Sequence, residues 1–283
     1  MNSNKTWLVT GASKGLGLVM VKQLLSAGYN VAATSRNIDA LKEAVGEEEA
    51  FLPLAVNLTS EESVAKAVKA TVAQFGQLDV VVNNAGYGQI GSLEELSDEE
   101  ARANFDVNVF GVLNVIRAAM PYLRKQRSGH IFNISSIGGV NGGFPGFGIY
   151  CATKFAVQGL TESLAAEIKA FGVHATAVSP GYFRTNFLTA ESLGVPKNEI
   201  AEYKAVRDVQ QAHQQDINGN QAGDPEKAVA VIIEAAESKQ PPLHLFLGQD
   251  AYDLAYSKLE EVKHDLETWK TATTSTAYEA VLQ

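Results

Sequence analysis

Cysteine occurs once in this chain of 283 residues, at Cys151. No intramolecular disulfide can form, which fits a reducing compartment and makes the cytoplasm the expected location. A basic surplus is missing as well: 32 acidic side chains against 23 lysines and arginines give a formal net charge of −9. Nucleic-acid binders carry a basic surplus or stripe, so no nucleic-acid partner is expected. An acidic surface still permits a local positive pocket for an anionic ligand. No apolar run approaches the roughly 20 residues of a membrane-spanning helix. The polar residues 1–5 lack the pattern of a secretory signal, so no membrane partner is expected. The five histidines (His130, His174, His213, His244 and His264) stand apart, with no zinc-ligand spacing. No metal is expected, and each histidine reads as a surface or strand-edge residue.

What the chain does contain is an alternation. Short β-branched runs at 6–10, 30–35, 51–57, 78–83, 130–135, 174–179 and 243–247 are separated by longer amphipathic segments. That order predicts a seven-stranded parallel sheet with helices on both faces, an α/β fold. Helices are expected at 15–27, ended by Gly28, and at 60–75, capped by Ser60. Further helices are expected at 98–125, with a possible kink at Pro121, at 150–171, from the Asp224-Pro225 start, and at 249–272. The run 78–83 is nearly all apolar and reads as a central strand buried on both faces. No repeat or linker divides the chain, so 1–283 is read as one domain. Residues 187–223 break the alternation with a polar, glutamine-rich stretch. It is either a plain surface insertion or a flap over a ligand site, and the flap is favoured because long insertions in compact domains are often functional.

Directly after the first strand stands Thr10-Gly11-Ala12-Ser13-Lys14-Gly15-Leu16-Gly17, and then a helix. Glycines permit a tight turn and close approach of a ligand to the backbone. The helix N-terminus offers free N–H groups and a partial positive charge to a pyrophosphate. In the strand-turn-helix setting this predicts dinucleotide binding. A carboxylate at the end of the second strand would bind the ribose hydroxyl of NAD. The chain has Ala33-Thr34-Ser35-Arg36 instead. Arg36 can meet a 2′-phosphate, joined by Lys14 and Ser13, so NADP(H) is the expected cofactor. The plain alternative is an exposed arginine at a strand end.

Tyr150 and Lys154 stand four residues apart at the start of a helical segment, on one face. A positive charge about 4 Å from a phenol, at an effective dielectric of about 20, is worth roughly 4 kcal/mol, enough to lower the phenol pKa by about 3 units. Such a pair can exchange protons near neutrality, although tyrosine and lysine at this spacing are usually only surface neighbours.

With these two motifs the chain resembles the short-chain dehydrogenase/reductase family, over about residues 5–185. Further motifs carry the likeness: Asn83-Asn84-Ala85-Gly86 after the fourth strand, Asn108 in the long helix, Ser135-Ser136 ending the fifth strand, Pro180-Gly181 after the sixth, and Thr185 beyond. The resemblance implies a doubly wound Rossmann fold. It implies a catalytic set of Asn108, Ser136, Tyr150 and Lys154. Tyr150 is the acid in carbonyl reduction, Lys154 lowers its pKa and bonds the nicotinamide ribose, and Ser136 holds the substrate oxygen. Asn108 holds a relay water. Cofactor contacts are implied for Gly11, Ser13, Lys14, Gly15, Leu16, Gly17, Ser35 and Arg36, for Asn57 and Leu58 around the adenine, and for Asn84, Ala85 and Gly86. Tyr150, Lys154, Pro180, Gly181, Phe183 and Thr185 complete that set. Asn57 stands where many relatives have aspartate, and the segment 138–148 is longer than in many.

The expected reaction is NADPH-dependent reduction of a ketone or aldehyde. An NAD-dependent alcohol dehydrogenase and a non-catalytic dinucleotide sensor are the alternatives. Val140, Phe144, Phe147, Tyr182 and Phe187 lie in segments expected to line the substrate pocket. They suggest an apolar or aromatic substrate, although aromatics also pack cores. Residues 248–251 resemble the branch with hydroxysteroid and retinol dehydrogenases. Cys151 is expected to point away from Tyr150, into packing. Relatives pair through the helices near 98–125 and 150–171, so a homodimer or homotetramer is expected.

Overall fold

In the first strand, β1 (Thr6–Val9), Trp7 and Val9 pack into one apolar cluster and Leu8 into another on the opposite side, all three buried. Alternate residues of a strand face opposite ways, so burial on both sides requires a layer above and a layer below. The computed structural model describes residues 4–278 and supplies both layers.

In chain order, β1 leads into α1 (Gly15–Ser26), β2 (Asn30–Ser35), α2 (Ile38–Val45), β3 (Phe51–Ala55), α3 (Glu61–Phe75) and β4 (Val80–Asn83). Then come a short β5 (Gly88–Gln89), α4 (Asp98–Phe105), a π-helical turn at Asp106–Phe110, α5 (Gly111–Gln126), β6 (Gly129–Ile134), α6 (Gly148–Ile168) and β7 (Val173–Pro180). The last third holds β8 (Leu193–Gly194), α7 (Lys204–Gln211), a π turn at Ala212–Ile217, α8 (Pro225–Glu237), β9 (His244–Leu247) and α9 (Gln249–Thr274).

Seven of the strands form one parallel sheet in the order β3-β2-β1-β4-β6-β7-β9. This is the parallel sheet expected from the alternation and the doubly wound Rossmann fold that the resemblance implied. One apolar layer joins α1 and α8 to the sheet through Met20, Val21, Leu24, Val229 and Ile232. The other joins α3, α5 and α6 through Val68, Val115, Leu123, Val157 and Leu164. Chain order reverses across the sheet between β1 and β4, so the crevice beyond their carboxyl ends is where this fold takes its ligand.

The expected starts are present: Ser60 accepts from the Ser63 N–H at α3, and Asp224 accepts from the Glu226 N–H, with Pro225 opening α8. Three elements differ from expectation. Helix α2 was not anticipated; Asn37 caps it, accepting from the N–H groups of Asp39 and Ala40. The long helix departs from α geometry at Asp106–Phe110 and runs as α5 through Pro121. Residues 187–223 are largely structured: β8 pairs with β5, and α7 follows.

Two histidines correct the expectation of surface positions. His130 is buried in β6, stacked on Phe132 and hydrogen bonded to Thr176 at 2.8 Å, and burial beside His174 pushes its pKa down to about 3. His213 is buried in the insertion. Among the described residues, no helix is long and apolar enough to cross a membrane.

Candidate active site

The phosphate loop is shaped by close approach. Gly11 has φ +66°, and a Cβ there would meet the Ala85 Cα at 2.7 Å, so the loop after β1 can lie on the loop after β4 only as glycine. The Thr10 hydroxyl accepts from the N–H groups of Asn84 and Ala85, and the Asn84 amide donates to the carbonyls of Thr10 and Gly11. Two strand ends are thereby fixed side by side. Lys14 caps α1 in extended conformation with no side-chain cap, and no acid sits in the first turn. The N–H groups of that turn are therefore available to an anion.

These loops open onto a cavity of about 570 Å³. Gly11, Ser13, Lys14, Gly15, Leu16, Ser35, Arg36, Asn57, Leu58, Asn84, Ala85 and Gly86 line one end. Ser136, Tyr150, Lys154, Pro180, Gly181, Phe183 and Thr185 line it further on, with Phe144, Phe147, Tyr182 and Phe187. Three expected residues are not on the wall. Gly17 is a packing glycine, where a Cβ would fall 2.6 Å from the Asn84 amide nitrogen and from the Gly11 carbonyl. Val140 lies outside the lining. Asn108 sits behind Gly86: a Cβ on that glycine would come within 3.0 Å of Asn108 Oδ1 and 3.5 Å of Lys154 Nζ. The groove as lined fits a dinucleotide, with Gly11, Gly15 and the N-terminus of α1 presented to it. Asn57, however, turns its Oδ1 onto the backbone and hydroxyl of Thr59, a local turn that asparagine forms readily.

Around Tyr150 the geometry departs from simple expectation. Tyr150 and Lys154 are both buried on α6, but Lys154 Nζ donates to the Ile134 carbonyl at 2.8 Å and stands 5.7 Å from the centroid of the phenol ring. Burial dominates both groups. It raises the Tyr150 pKa above its ordinary value, with the Ser136 hydroxyl pulling down and nearby Cys151 and Tyr182 pushing up. It lowers that of Lys154 to about 8. The expected fall in the phenol pKa is therefore reversed: desolvation of the phenolate is the largest influence, and the Lys154 ammonium is not among the groups that shift it. Asn108 accepts from the Tyr87 N–H at 3.1 Å and donates to Tyr87 O, Asn104 Oδ1 and Thr153 Oγ1. Its side chain ties the π turn to the loop after β4 and to α6.

The family model for short chain dehydrogenase matches residues 5–194. The chain belongs to the short-chain dehydrogenase family. Oxidoreductase BOA17 of Botryotinia fuckeliana is 36% identical over 270 residues, covering 94% of this chain and 97% of that protein. The 3-ketodihydrosphingosine reductase of Bacteroides thetaiotaomicron is 37% identical over 243 residues, 85% of this chain and 87% of that one. A short-chain dehydrogenase from Streptomyces avermitilis has a solved structure that superposes with a TM-score of 0.88 at 36% identity, over 98% of this chain and 99% of that one. Solved neighbours of this oxidoreductase at 25% and 27% identity hold NADH and NADP respectively.

Several residues of this dehydrogenase's cavity were not singled out from sequence. Glu191 of the insertion lines it and pairs with Lys14 at 3.1 Å. Cys151, expected to point away into packing, does pack in an apolar cluster with Ile90 and Phe147, but it also lines the cavity, and burial raises its thiol pKa to about 11. Gln221 lines it, and its buried side-chain oxygen has no hydrogen-bond partner among the described residues. His213 lines it as well, with Nδ1 at 2.8 Å from the Val209 carbonyl and Nε2 at 2.9 Å from the Tyr182 hydroxyl. The only sequence signal for His213 was a titratable ring inside an insertion that breaks the sheet pattern. Asp250, at the start of α9, fixes the Tyr182 turn by accepting from its N–H at 2.7 Å.

Proposed function

We propose that this dehydrogenase reduces a ketone or aldehyde to the alcohol with NADPH, Tyr150 serving as proton donor. The observation that carries this is the meeting of Tyr150, Ser136 and Lys154 on the wall of one cavity whose other end is lined by Arg36 and the Gly11–Leu16 loop. When bound, the reduced nicotinamide supplies hydride to the carbonyl carbon. A phenol held protonated by burial suits an acid, since it keeps its proton until the substrate oxygen gains charge. The Ser136 hydroxyl donates to the same oxygen and stabilises that charge where it develops. Lys154, one helical turn away, stabilises the phenolate left behind. Asn108 positions Lys154 and Tyr87 through its bonds to α6 and to the loop after β4.

The preference for NADPH rests on Arg36 at the end of β2, on the absence of an acid from Ala33 to Arg36, and on Ser13 and Lys14 close by on the cavity wall. Phe144, Phe147 and Phe187 support an apolar or aromatic substrate, and the name of the Bacteroides relative supports a keto compound. Tyr182 and His213 add one polar point. The Val209 carbonyl can only accept, so Nδ1 of a neutral His213 carries the proton and Nε2 accepts from Tyr182. The Tyr182 oxygen is then left as an acceptor, suited to a substrate hydroxyl or amine N–H.

Within this reading the chain is one domain and 187–223 acts as a flap, supported by the contributions of Phe187, Glu191, His213 and Gln221 to the cavity. A homodimer or homotetramer through α4–α5 and α6 is supported by the exposed rings of Phe110 and Phe155. A cytoplasmic location is supported by the single buried thiol.

The test is a panel of aldehydes and ketones with NADPH, run on the parent and on Tyr150→Phe. Loss of the hydroxyl should cost roughly 10²–10⁴-fold in turnover while NADPH binding, read by fluorescence, persists. Turnover near the parent level ends the proton-donor assignment. NADPH binding with no turnover of any carbonyl by the parent favours a sensor.

A further inference from the structure

A carboxylate with no part in the proposed chemistry is buried beside the insertion. Glu95 lies between β5 and α4, and its side chain has no exposure. Its Oε2 accepts from the Ser92 N–H at 2.7 Å and from Arg207 Nη2 of α7 at 2.9 Å, and its Oε1 accepts from the Ile200 N–H at 2.9 Å. Burial pushes its pKa up, but these hydrogen bonds and the guanidinium outweigh that and hold it below the ordinary carboxylate value. Two further ties join the same segments: the Lys197 N–H donates to Glu100 at 3.0 Å, and the Tyr203 hydroxyl donates to Glu94 at 2.6 Å. The other hydrogen bonds of Arg207 go to Glu199 and Gln210 within the insertion, so its bond to Glu95 is the one that reaches the body.

What this ion pair holds down lies next to the substrate end of the cavity. Val206 is buried on α7, directly over the backbone of the glycine-rich loop. Gly146 there has φ +83°, and a Cβ on it would come within 2.8 Å of Val206 Cγ1 and 3.2 Å of Ile90 Cγ1. The Gly146 carbonyl accepts from the Gly91 N–H at 2.8 Å, so the loop is pinned between α7 and the segment that carries Glu95. Val209, one turn on from Val206, packs against the apolar cluster of Ile90, Phe147 and Tyr150. His213 follows with its ring 4.9 Å from that of Phe147, and Phe147 stands edge-on to Tyr150 at 6.1 Å.

We infer that Arg207 is a positioning residue for the substrate pocket: through Glu95 it fixes α7, and α7 fixes the loop that carries Phe147 beside Tyr150. The chain of contact is continuous, from Glu95 to Arg207, through Val206 and Val209, to Gly146 and Phe147. A carboxylate left buried without its cation is costly. The cheapest relief is for the segment above it to loosen and let water in, and that segment is α7. Loosening then reaches the wall of the cavity without touching Tyr150, Ser136 or the phosphate loop. The consequence for specificity rests on the proposed carbonyl reduction, whereas the mechanical coupling does not. A bulky aryl ketone needs Phe147 in place, and a short aliphatic aldehyde does not fill the cavity that far.

Hydrogen exchange on the full chain tests the coupling, and kinetics test its effect. In Arg207→Met, amide exchange should quicken about tenfold in 204–217 and also in 138–148, as expected when one cooperative unit opens. Exchange in 10–17 should hold at the parental rate. KM for an aryl ketone should rise about tenfold with kcat nearly level, a loss within the range of coupling through packed networks. Both constants for a short aldehyde should stay near parental values. Arg207→Lys, which keeps a cation on Glu95, should recover most of the loss. Val206→Ala should give a smaller effect of the same kind, and adding it to Arg207→Met should cost nothing more, since both act through α7. Parental exchange in 138–148, or faster exchange across the whole sheet, overturns the positioning role. Equal losses for the aryl ketone and the short aldehyde overturn the assignment to specificity. A parent that turns over no carbonyl defeats the proposed reaction, and the exchange measurement then decides the coupling alone.

Discussion

The Lys154 ammonium is held on the Ile134 carbonyl at 2.8 Å, and the strand end rather than the Tyr150 phenol is its hydrogen-bond partner. This buried cation costs stability. Folding lowers its pKa from the ordinary 10.5 to about 8, so between those values the unfolded chain binds more protons and stability rises with pH. Below about pH 8 the folded protein bears the full cost of the buried charge. Lys154→Met should therefore raise the apo-protein's thermal midpoint at pH 7, by about 2 °C for each kcal/mol relieved, and the gain should vanish as pH approaches 10.5. A variant that melts earlier than the parent at pH 7 contradicts this.

The same titration should mark the activity. Carbonyl reduction needs the ammonium to receive the phenolate's charge, so its rate should hold steady at lower pH and fall as pH rises through about 8. Tyr150, raised by burial, stays protonated in that window and does not produce the fall. A rate that climbs from pH 7 to pH 9 would exclude Lys154 as the titrating group.

Lys14 and Glu191 set a competition at the phosphate end of the cavity. Glu191 holds the Lys14 ammonium at 3.1 Å and would have to release it to an NADPH phosphate. Glu191→Gln should tighten NADPH about 2–5-fold, consistent with the small worth of an exposed pair, and leave NADH nearly unchanged. Arg36→Ala should weaken NADPH at least tenfold more than NADH. Titrations by fluorescence with both nucleotides decide it, and equal losses for the two remove the phosphate argument.

The Tyr182 hydroxyl should sort substrates. Tyr182→Phe removes one hydrogen bond, worth about 0.5–1.5 kcal/mol, so KM should rise roughly 3–10-fold for ketones that carry a hydroxyl and stay level for plain aryl ketones. His213→Ala should follow the same pattern more weakly, since it only orients the phenol. A uniform change across both substrate sets indicates a structural role for the pair.

Much of this was legible along the chain. The seven strand runs, the Ser60 and Asp224-Pro225 helix starts and the glycine loop before α1 are local patterns, fixed by side-chain period, capping chemistry and backbone freedom. The short α2 escaped notice because its eight residues hold a single buried apolar anchor, Leu41. The pitch change fell at Asp106–Phe110, where Asn108 bonds to Tyr87 and Thr153, contacts that no neighbouring residue announces.

By itself the sequence determined the sheet, its winding and the identity of the groups gathered at its carboxyl end, because periodicity and motif spacing act over a few residues. Only the tertiary structure decided what state those groups are in. Whether the phenol's pKa falls or rises depends on how much water remains around it, and burial is set by side chains as distant as Phe187 and Tyr182. The same holds for His213, brought to the cavity by an insertion whose course follows from pairing β8 with β5.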